Sequence, residues 1–453
     1  MALSNLKHLS IFKRPISLYN KLRIYLNNSY WLFFDKLFTL TTTFFLSIVL
    51  ARYLGPEQYG LFAYIISIAS LFSIGAHLGL SGLLVKELVK SEKNESVILG
   101  TALVMKFAGA CLGFLFLLLY IYFVEKNSQI AQGMLFIASF TVFLSVFDLI
   151  DSWFNSKLNS KFVAIAHIIT ILFSVGLKVF FVINEYPLIY FIYAFLIEVS
   201  FLGILRIVLY SHKNKDSLLN WKFSSLLAGK FFKQGGLIFL GSIFAIVYLK
   251  IDLIMLRNLS SNEQVGIYAI ASRLSEAFYI IPTVLMVSFY PKLIKLYSES
   301  RSQFILRIQQ ILDGFFLLAL AISVTVIFIS EDFISFAYGN DFRESASVLN
   351  IHILASLFIF MRAVFSKWII IEDLIYLSLI SQGLGALANC VLNFILIPEY
   401  GSIGASLATL VSYSVASYFV LIFFKDSRPM FCMMTKSIFS PFRLLKLLNN
   451  TRR

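Results

Sequence analysis

Charge is what this chain has least of. Asp, Glu, Lys and Arg together make up only 14% of its 453 residues, where a soluble globular domain carries about a quarter. Hydrophobic residues reach 59% and aromatic ones 16%, more apolar side chain than one soluble core can hide, so an ordinary water-soluble fold is excluded. Leu37–Leu50, Phe107–Val124 and Phe315–Ile329 contain no charge at all, and about 20 such residues cross a hydrocarbon layer of roughly 30 Å. Cysteine is scarce too. Cys111, Cys390 and Cys432 are scattered, with no C-x-x-C or Cys/His spacing, which argues against a disulfide framework and a zinc site. No P-loop, H-E-x-x-H or G-x-S-x-G motif occurs, so the chain does not read as an enzyme and calls for no cofactor or metal. "GLGALA" (383–388) fits G-x-G-x-x-G/A, but no strand precedes it; its glycines, like Gly109 and Gly113, read as close helix packing.

What is present is a series of apolar helices. We place twelve, at about 29–50, 59–82, 97–122, 130–150, 162–183, 188–210, 235–257, 267–290, 308–329, 345–370, 375–397 and 402–424, separated by turns such as "NEYP" (184–187) and "PEYG" (398–401). Residues 1–28 are basic and amphipathic without a cleavage site, which reads as a retained cytoplasmic interfacial segment. Arg52, Lys126 and Arg343 are the only basic residues on one set of alternate loops, whereas most of the 38 fall on the other set and the two termini. By the positive-inside rule both termini face the cytoplasm. The same asymmetry accounts for most of the +14 net charge. No nucleic-acid partner is implied, because the basic residues flank no recognition module.

"ARYLGPEQYGLFAY" (51–64) interrupts the first two apolar runs, and "RNLSSNEQVGIYA" (257–269) repeats it. Arg52, Leu54, Glu57, Gln58, Gly60, Leu61, Phe62 and Ala63 correspond in order to Arg257, Leu259, Glu263, Gln264, Gly266, Ile267, Tyr268 and Ala269, with one residue inserted. Each copy follows the first span of a six-helix set, so the halves enter the membrane the same way round, as parallel repeats. The expected fold is an all-α polytopic membrane protein of about twelve transmembrane helices in two six-helix lobes around a central cavity. Its parts are the N-terminal lobe 29–210, a cytoplasmic inter-lobe linker 211–234, the C-terminal lobe 235–424 and a basic cytoplasmic tail 425–453. Two matched lobes suit alternating access, which makes transport the expected function class.

Ionisable residues at membrane depth face a cavity or a partner. Lys36, Lys106, Lys250, Arg273 and Arg362 lie deepest and are the candidate cavity cations. Lys178, Arg206, Arg257 and Lys367 stand nearer helix ends and read as interfacial. Asp35, Asp252 and Glu276 are candidate ion-pair or coupling partners, being next to Lys36, two after Lys250 and three after Arg273. Asp148, Asp151, Glu198 and Asp313 read as solvated caps, and His77, His167 and His352 as packed or hydrogen-bonded. A cationic cavity attracts an anion such as a diphosphate, with Tyr, Asn, Gln and Ser available for sugars.

"LARYLGPEQYGLFAY", 250–293, "YGNDFRESASVLNI" (338–351) and "NFILIPEYGSIGASLATLVSY" (393–413) resemble the Wzx-type polysaccharide-biosynthesis flippases, members of the multidrug/oligosaccharidyl-lipid/polysaccharide exporter superfamily. The resemblance runs from about residue 28 to 425. It implies a bacterial inner-membrane flippase moving an undecaprenyl-diphosphate-linked oligosaccharide to the outer leaflet for O-antigen, capsule or related surface polysaccharide. The lipid bilayer, a polysaccharide polymerase and a chain-length regulator are the implied partners, and the coupling ion stays open. A cation-coupled multidrug exporter of the same superfamily predicts functional carboxylates in the first lobe. The lipid-linked peptidoglycan-precursor flippase usually has fourteen spans. A membrane scaffold for glycosyltransferases would tolerate neutral substitutions of the buried cations. Against a sugar transporter of the major facilitator type, "LLVKELVKSEKNES" lacks that family's loop pattern.

Overall fold

The computed structural model describes residues 13–91, 94–126, 128–214 and 220–443, with side chains from Asn27 onward except at 237, 238 and 245. Residues 1–12 of the basic N-terminal segment, 215–219 of the linker and 444–453 of the tail lie outside it. The described chain is helical throughout, without a strand: α1 (Lys13–Phe72), α2 (Ile74–His77), α3 (Ser81–Lys90), α4 (Glu95–Phe123), α5 (Gln129–Ser139), α6 (Thr141–Leu144), α7 (Leu149–Ser156), α8 (Ser160–Ile183), α9 (Leu188–Lys213), α10 (Ser225–Leu259), α11 (Asn262–Glu276), α12 (Ile280–Glu299), α13 (Arg301–Tyr338), α14 (Glu344–His352), α15 (Ala355–Ile371), α16 (Tyr376–Ser417) and α17 (Arg428–Ile438).

Among the described residues ten helical stretches are long and apolar enough to cross a membrane. Two of them, Asn27–Lys90 with 64 residues and Tyr376–Ile422 with 47, exceed the roughly 20 residues of one crossing. Each bends at a glycine outside helical geometry, Gly55 (φ 68°, ψ 173°) and Gly401 (φ 54°, ψ −130°). Positive φ comes without steric cost only to glycine, and Pro56 then opens the next helix, where its missing N–H is no loss. Divided at these bends, the ten stretches supply the twelve expected crossings.

Two compact units result. The described residues up to Leu46 join Phe72–Phe239, and Ser47–Leu71 joins the described residues from Leu240 onward. The expected lobes 29–210 and 235–424 differ from these units at 235–239, which joins the first unit with the expected linker, and in the stretch 47–71, whose contacts fall in the second unit. The opening motif explains why. Arg52 Nε donates to the Ala337 carbonyl at 2.7 Å and its Nη2 to that of Phe336, satisfying last-turn carbonyls that α13 leaves without partners. The two repeat copies then meet at their matching glycines. A Cβ on Gly60 would stand 1.8 Å from the Asn262 carbonyl oxygen, and one on Gly266 would stand 2.1 Å from that of Pro56.

The first unit's core gathers Leu84, Leu99, Ile150, Trp153 and Phe154 with Phe231. Phe231 lies in the stretch read as a linker, which is docked: Trp221 Nε1 donates to Tyr210 Oη at 3.1 Å and the Ser224 amide to Thr101 Oγ1 at 3.0 Å. The second core packs Phe304, Ile308, Phe360 and Phe365 against Met430 and Met434 of α17, so the start of the basic tail is folded. Small residues let backbones touch as the sequence suggests. A Cβ on Gly109 would stand 2.0 Å from the Gly75 carbonyl, one on Gly113 2.4 Å from that of Phe72, and one on Gly385 2.6 Å from Ala416 Cβ. Outside, Phe328, Phe336 and Phe394 are more than half exposed, as suits side chains solvated by lipid.

Candidate functional site

In the first unit most of the intramembrane charges are spent on one another. Lys106, fully buried on α4, holds its Nζ 2.7 Å from Asp148 Oδ1, and His77 Nδ1 stands 2.7 Å from the other oxygen. Arg206 grips Asp151 with both Nε (2.9 Å) and Nη2, and Lys178 reaches Glu198 at 2.7 Å, which also accepts from Ser174. Asp148, Asp151 and Glu198 are therefore counter-ions at depth instead of solvated caps, and Lys178 and Arg206 are paired instead of snorkelling. A cation is kept in low dielectric when a neighbouring helix brings a carboxylate to its level. Asp35 also departs from expectation. Adjacent residues on a helix point apart; Asp35 turns inward to His167 Nδ1 at 3.0 Å, while Lys36 is exposed and has no partner among the described residues.

The second unit is built differently. Asp252, only 3% exposed, accepts from Tyr268 Oη at 2.6 Å, Asn393 Nδ2 at 2.5 Å and Thr409 Oγ1 at 2.8 Å, and forms no ion pair among the described residues. Expected pairing with Lys250 fails because residues two apart do not share a helix face. Lys250 and Arg273 instead flank Glu276 electrostatically without closing an ion pair. The spacing that puts Arg273 and Glu276 on one face holds on α11. Arg273 is exposed, and its Nη1 donates to Tyr59 Oη at 3.4 Å. Arg362 donates to the Ala416 carbonyl at 2.7 Å and to Ser381 Oγ at 3.4 Å, tying α15 to α16.

These groups join through tyrosines that sequence reasoning missed. Tyr413 packs against Tyr248 (ring centroids 4.5 Å) and Tyr279 (6.2 Å), and the charge of Arg362 acts on Tyr248 and Tyr413. The Tyr248 hydroxyl is buried without a hydrogen-bond partner. Lys250, Arg273, Glu276, Arg362 and three tyrosines thus form one polar patch inside the second unit, with the charge of Asp252 acting on Tyr248 and Glu276. Lys36 and Lys106 belong to the first unit. A signal existed in sequence: Asn389 and Asn393, one turn apart on an apolar helix, are polar groups in need of a partner. His352 is held by Ser275 Oγ at 2.5 Å. Among the described residues no three His, Cys, Asp or Glu converge as metal ligands.

Comparison with known proteins places this helix bundle by family and fold. No curated protein sequence matches significantly. Among solved structures, the chain is similar to the lipid II flippase MurJ in an inward closed conformation (20% identity, 93% of each chain covered, TM-score 0.64). It is similar also to an inward-facing multidrug resistance MATE family transporter of the MOP superfamily (14% identity, 88% of this chain and 96% of that one, TM-score 0.68). A Vibrio cholerae MATE transporter shares 13% identity over 92% of this chain and 97% of its own, with TM-score 0.57. At such identities the likeness is one of fold. A family model described as "Polysaccharide biosynthesis protein" matches residues 25–297. That range is well over half of the sequence, and the chain belongs to this polysaccharide biosynthesis family.

Proposed function

We propose that the protein is a flippase carrying an undecaprenyl-diphosphate-linked oligosaccharide repeat unit from the cytoplasmic to the outer leaflet of the bacterial inner membrane. It works by alternating access, for O-antigen, capsule or a related surface polysaccharide, with both termini cytoplasmic. The observation that carries this reading is the grouping of Lys250 and Arg273 about the single carboxylate of Glu276, beside Tyr248, Tyr279 and Tyr413. Two cations left unpaired by protein match a diphosphate, and tyrosines offer both ring faces and hydroxyls to sugars. Lys106, spent on Asp148, and Arg362, spent on a backbone carbonyl, hold the bundle together; Lys36 remains an exposed cation outside the patch. The bilayer and the lipid-linked oligosaccharide are the direct partners, and a polymerase and chain-length regulator take up the product.

Asp252 is a buried carboxylate whose hydrogen-bond donors among the described residues are neutral, suited to binding and releasing a proton or small cation, and it lies in the second unit, whereas the exporter reading calls for carboxylates in the first lobe. We assign Asp252 to coupling within the flippase reading, where, without an ATPase motif, an ion gradient, a membrane potential or consumption of product on the far side supplies the drive. The experiment is deletion of the protein with measurement of surface glycan and of the leaflet holding its lipid-linked units. Complete, unpolymerised units accumulating on the cytoplasmic leaflet support flipping. Normal glycan with altered drug sensitivity supports export.

A further inference from the structure

The hairpin of α12 and α13 encloses a crevice of about 410 Å³ that belongs to no part of the patch described above. Leu285 and Phe289 line it on α12, Phe315 and Leu318 on α13, and Gly314 leaves its wall open: a Cβ there would meet nothing within 4 Å. Its polar end is made by Lys292, Arg307 and Gln310. Lys292 and Arg307 stand at similar distances along the chain from the turn at Ser300, so helical rise puts them at one level, while Leu285 and Leu318 lie roughly 10–17 Å farther along the hairpin.

The two cations are unspent. Lys292 has no partner among the described residues, and Arg307 Nη1 donates at 2.8 Å to the neutral Gln310 Oε1, leaving its other N–H groups open. The nearby acids are engaged elsewhere, Glu299 with Lys295 and Asp313 with Arg443. Around the crevice Val287, Ile294 and Leu306 are about half exposed or more, an apolar surround that suits lipid and not an aqueous anion. An apolar furrow capped by two free cations, on the side of the basic loops, has the charge and polarity pattern of a single anionic lipid.

We propose that this crevice seats an anionic phospholipid of the leaflet beside the basic loops, its phosphate held by Lys292 and Arg307 and one acyl chain lying along Phe289, Phe315 and Leu318. The inference rests on the membrane-spanning reading and its orientation, and not on the identity of the transported glycan. The test uses the full chain in mild detergent, titrated with phosphatidylglycerol or phosphatidylethanolamine and read by native mass spectrometry. Wild type retains phosphatidylglycerol roughly tenfold or more better. Lys292→Gln with Arg307→Gln removes the preference, and Gly314→Leu, which fills the furrow but keeps both charges, lowers retention, with lipid-free unfolding temperatures unchanged in both. Equal retention of the two lipids by wild type, or a preference that survives both variants, overturns the proposal. So does an undecaprenyl diphosphate probe that displaces phosphatidylglycerol at equal concentration, since the crevice would then serve the substrate.

Discussion

The two units solve the same problem, charge inside a membrane, in opposite ways. In the first, Lys106, Lys178 and Arg206 each meet a carboxylate. In the second, ion pairs occur near helix ends and loops, as in Arg301–Glu372 and Arg343–Glu331, while among the described residues Lys250, Arg273 and Asp252 close no ion pair. Buried pairs that satisfy one another cost little once formed and offer nothing to a ligand, whereas charges held short of pairing keep their interaction energy available. The difference teaches that depth in the membrane marks a charge as meaningful, and the company it keeps separates scaffold from site.

Removing one member of a first-unit pair should break this contrast hardest. Lys106→Met leaves Asp148 with His77 alone and should cost about 3–5 kcal/mol, seen as a lowered unfolding temperature in lipid nanodiscs; adding Asp148→Leu should restore most of it. Next comes the glycine contact between the repeats. Gly266→Val drives side chain into the Pro56 carbonyl and should cost roughly 1–3 kcal/mol as an overpacked contact, measured the same way, with flipping reduced. Smaller in stability is the second-unit patch: Lys250→Gln or Arg273→Gln should shift unfolding by no more than about 0.5 kcal/mol while lowering transport by roughly tenfold, the worth of one charge contact near 1.4 kcal/mol. Smallest is Asp252→Asn. Its amide oxygen still accepts from Tyr268 or Asn393, so stability should hold or rise, yet substrate accumulation should no longer respond to an imposed ion gradient in proteoliposomes.

Much of the fold is legible in the sequence because it follows from one-dimensional quantities. Apolar run length finds the crossings, Gly55–Pro56 and Pro398–Gly401 mark the two bends, and the repeat aligns Gly60 with Gly266, although their direct contact is not read from it. Arg52, the most conspicuous polar residue of the opening motif, proves to cap α13. Partner choice is not legible, because it depends on which helices pack and at what rotation. Nothing near Asp35 in sequence points to His167, 132 positions away, and Lys36 beside it is the wrong neighbour by the turn of the helix. The same holds for Asp252, whose donors come from α11 and α16. Of the five candidate cations, Lys250 and Arg273 come together around Glu276, and the tyrosines that complete the patch pass unnoticed in a chain with 22 of them.

The most direct measurement places purified protein in liposomes carrying a lipid-linked oligosaccharide and follows its exposure to an impermeant glycan-modifying enzyme. Three proteins are compared: wild type, Lys250→Gln/Arg273→Gln and Lys106→Met/Asp148→Leu. Wild type and the first-unit double variant should bring substrate across, and the second-unit double variant should not, although it folds and reconstitutes. Transport by the second-unit variant together with its loss in the first-unit variant would contradict the assignment of site and scaffold.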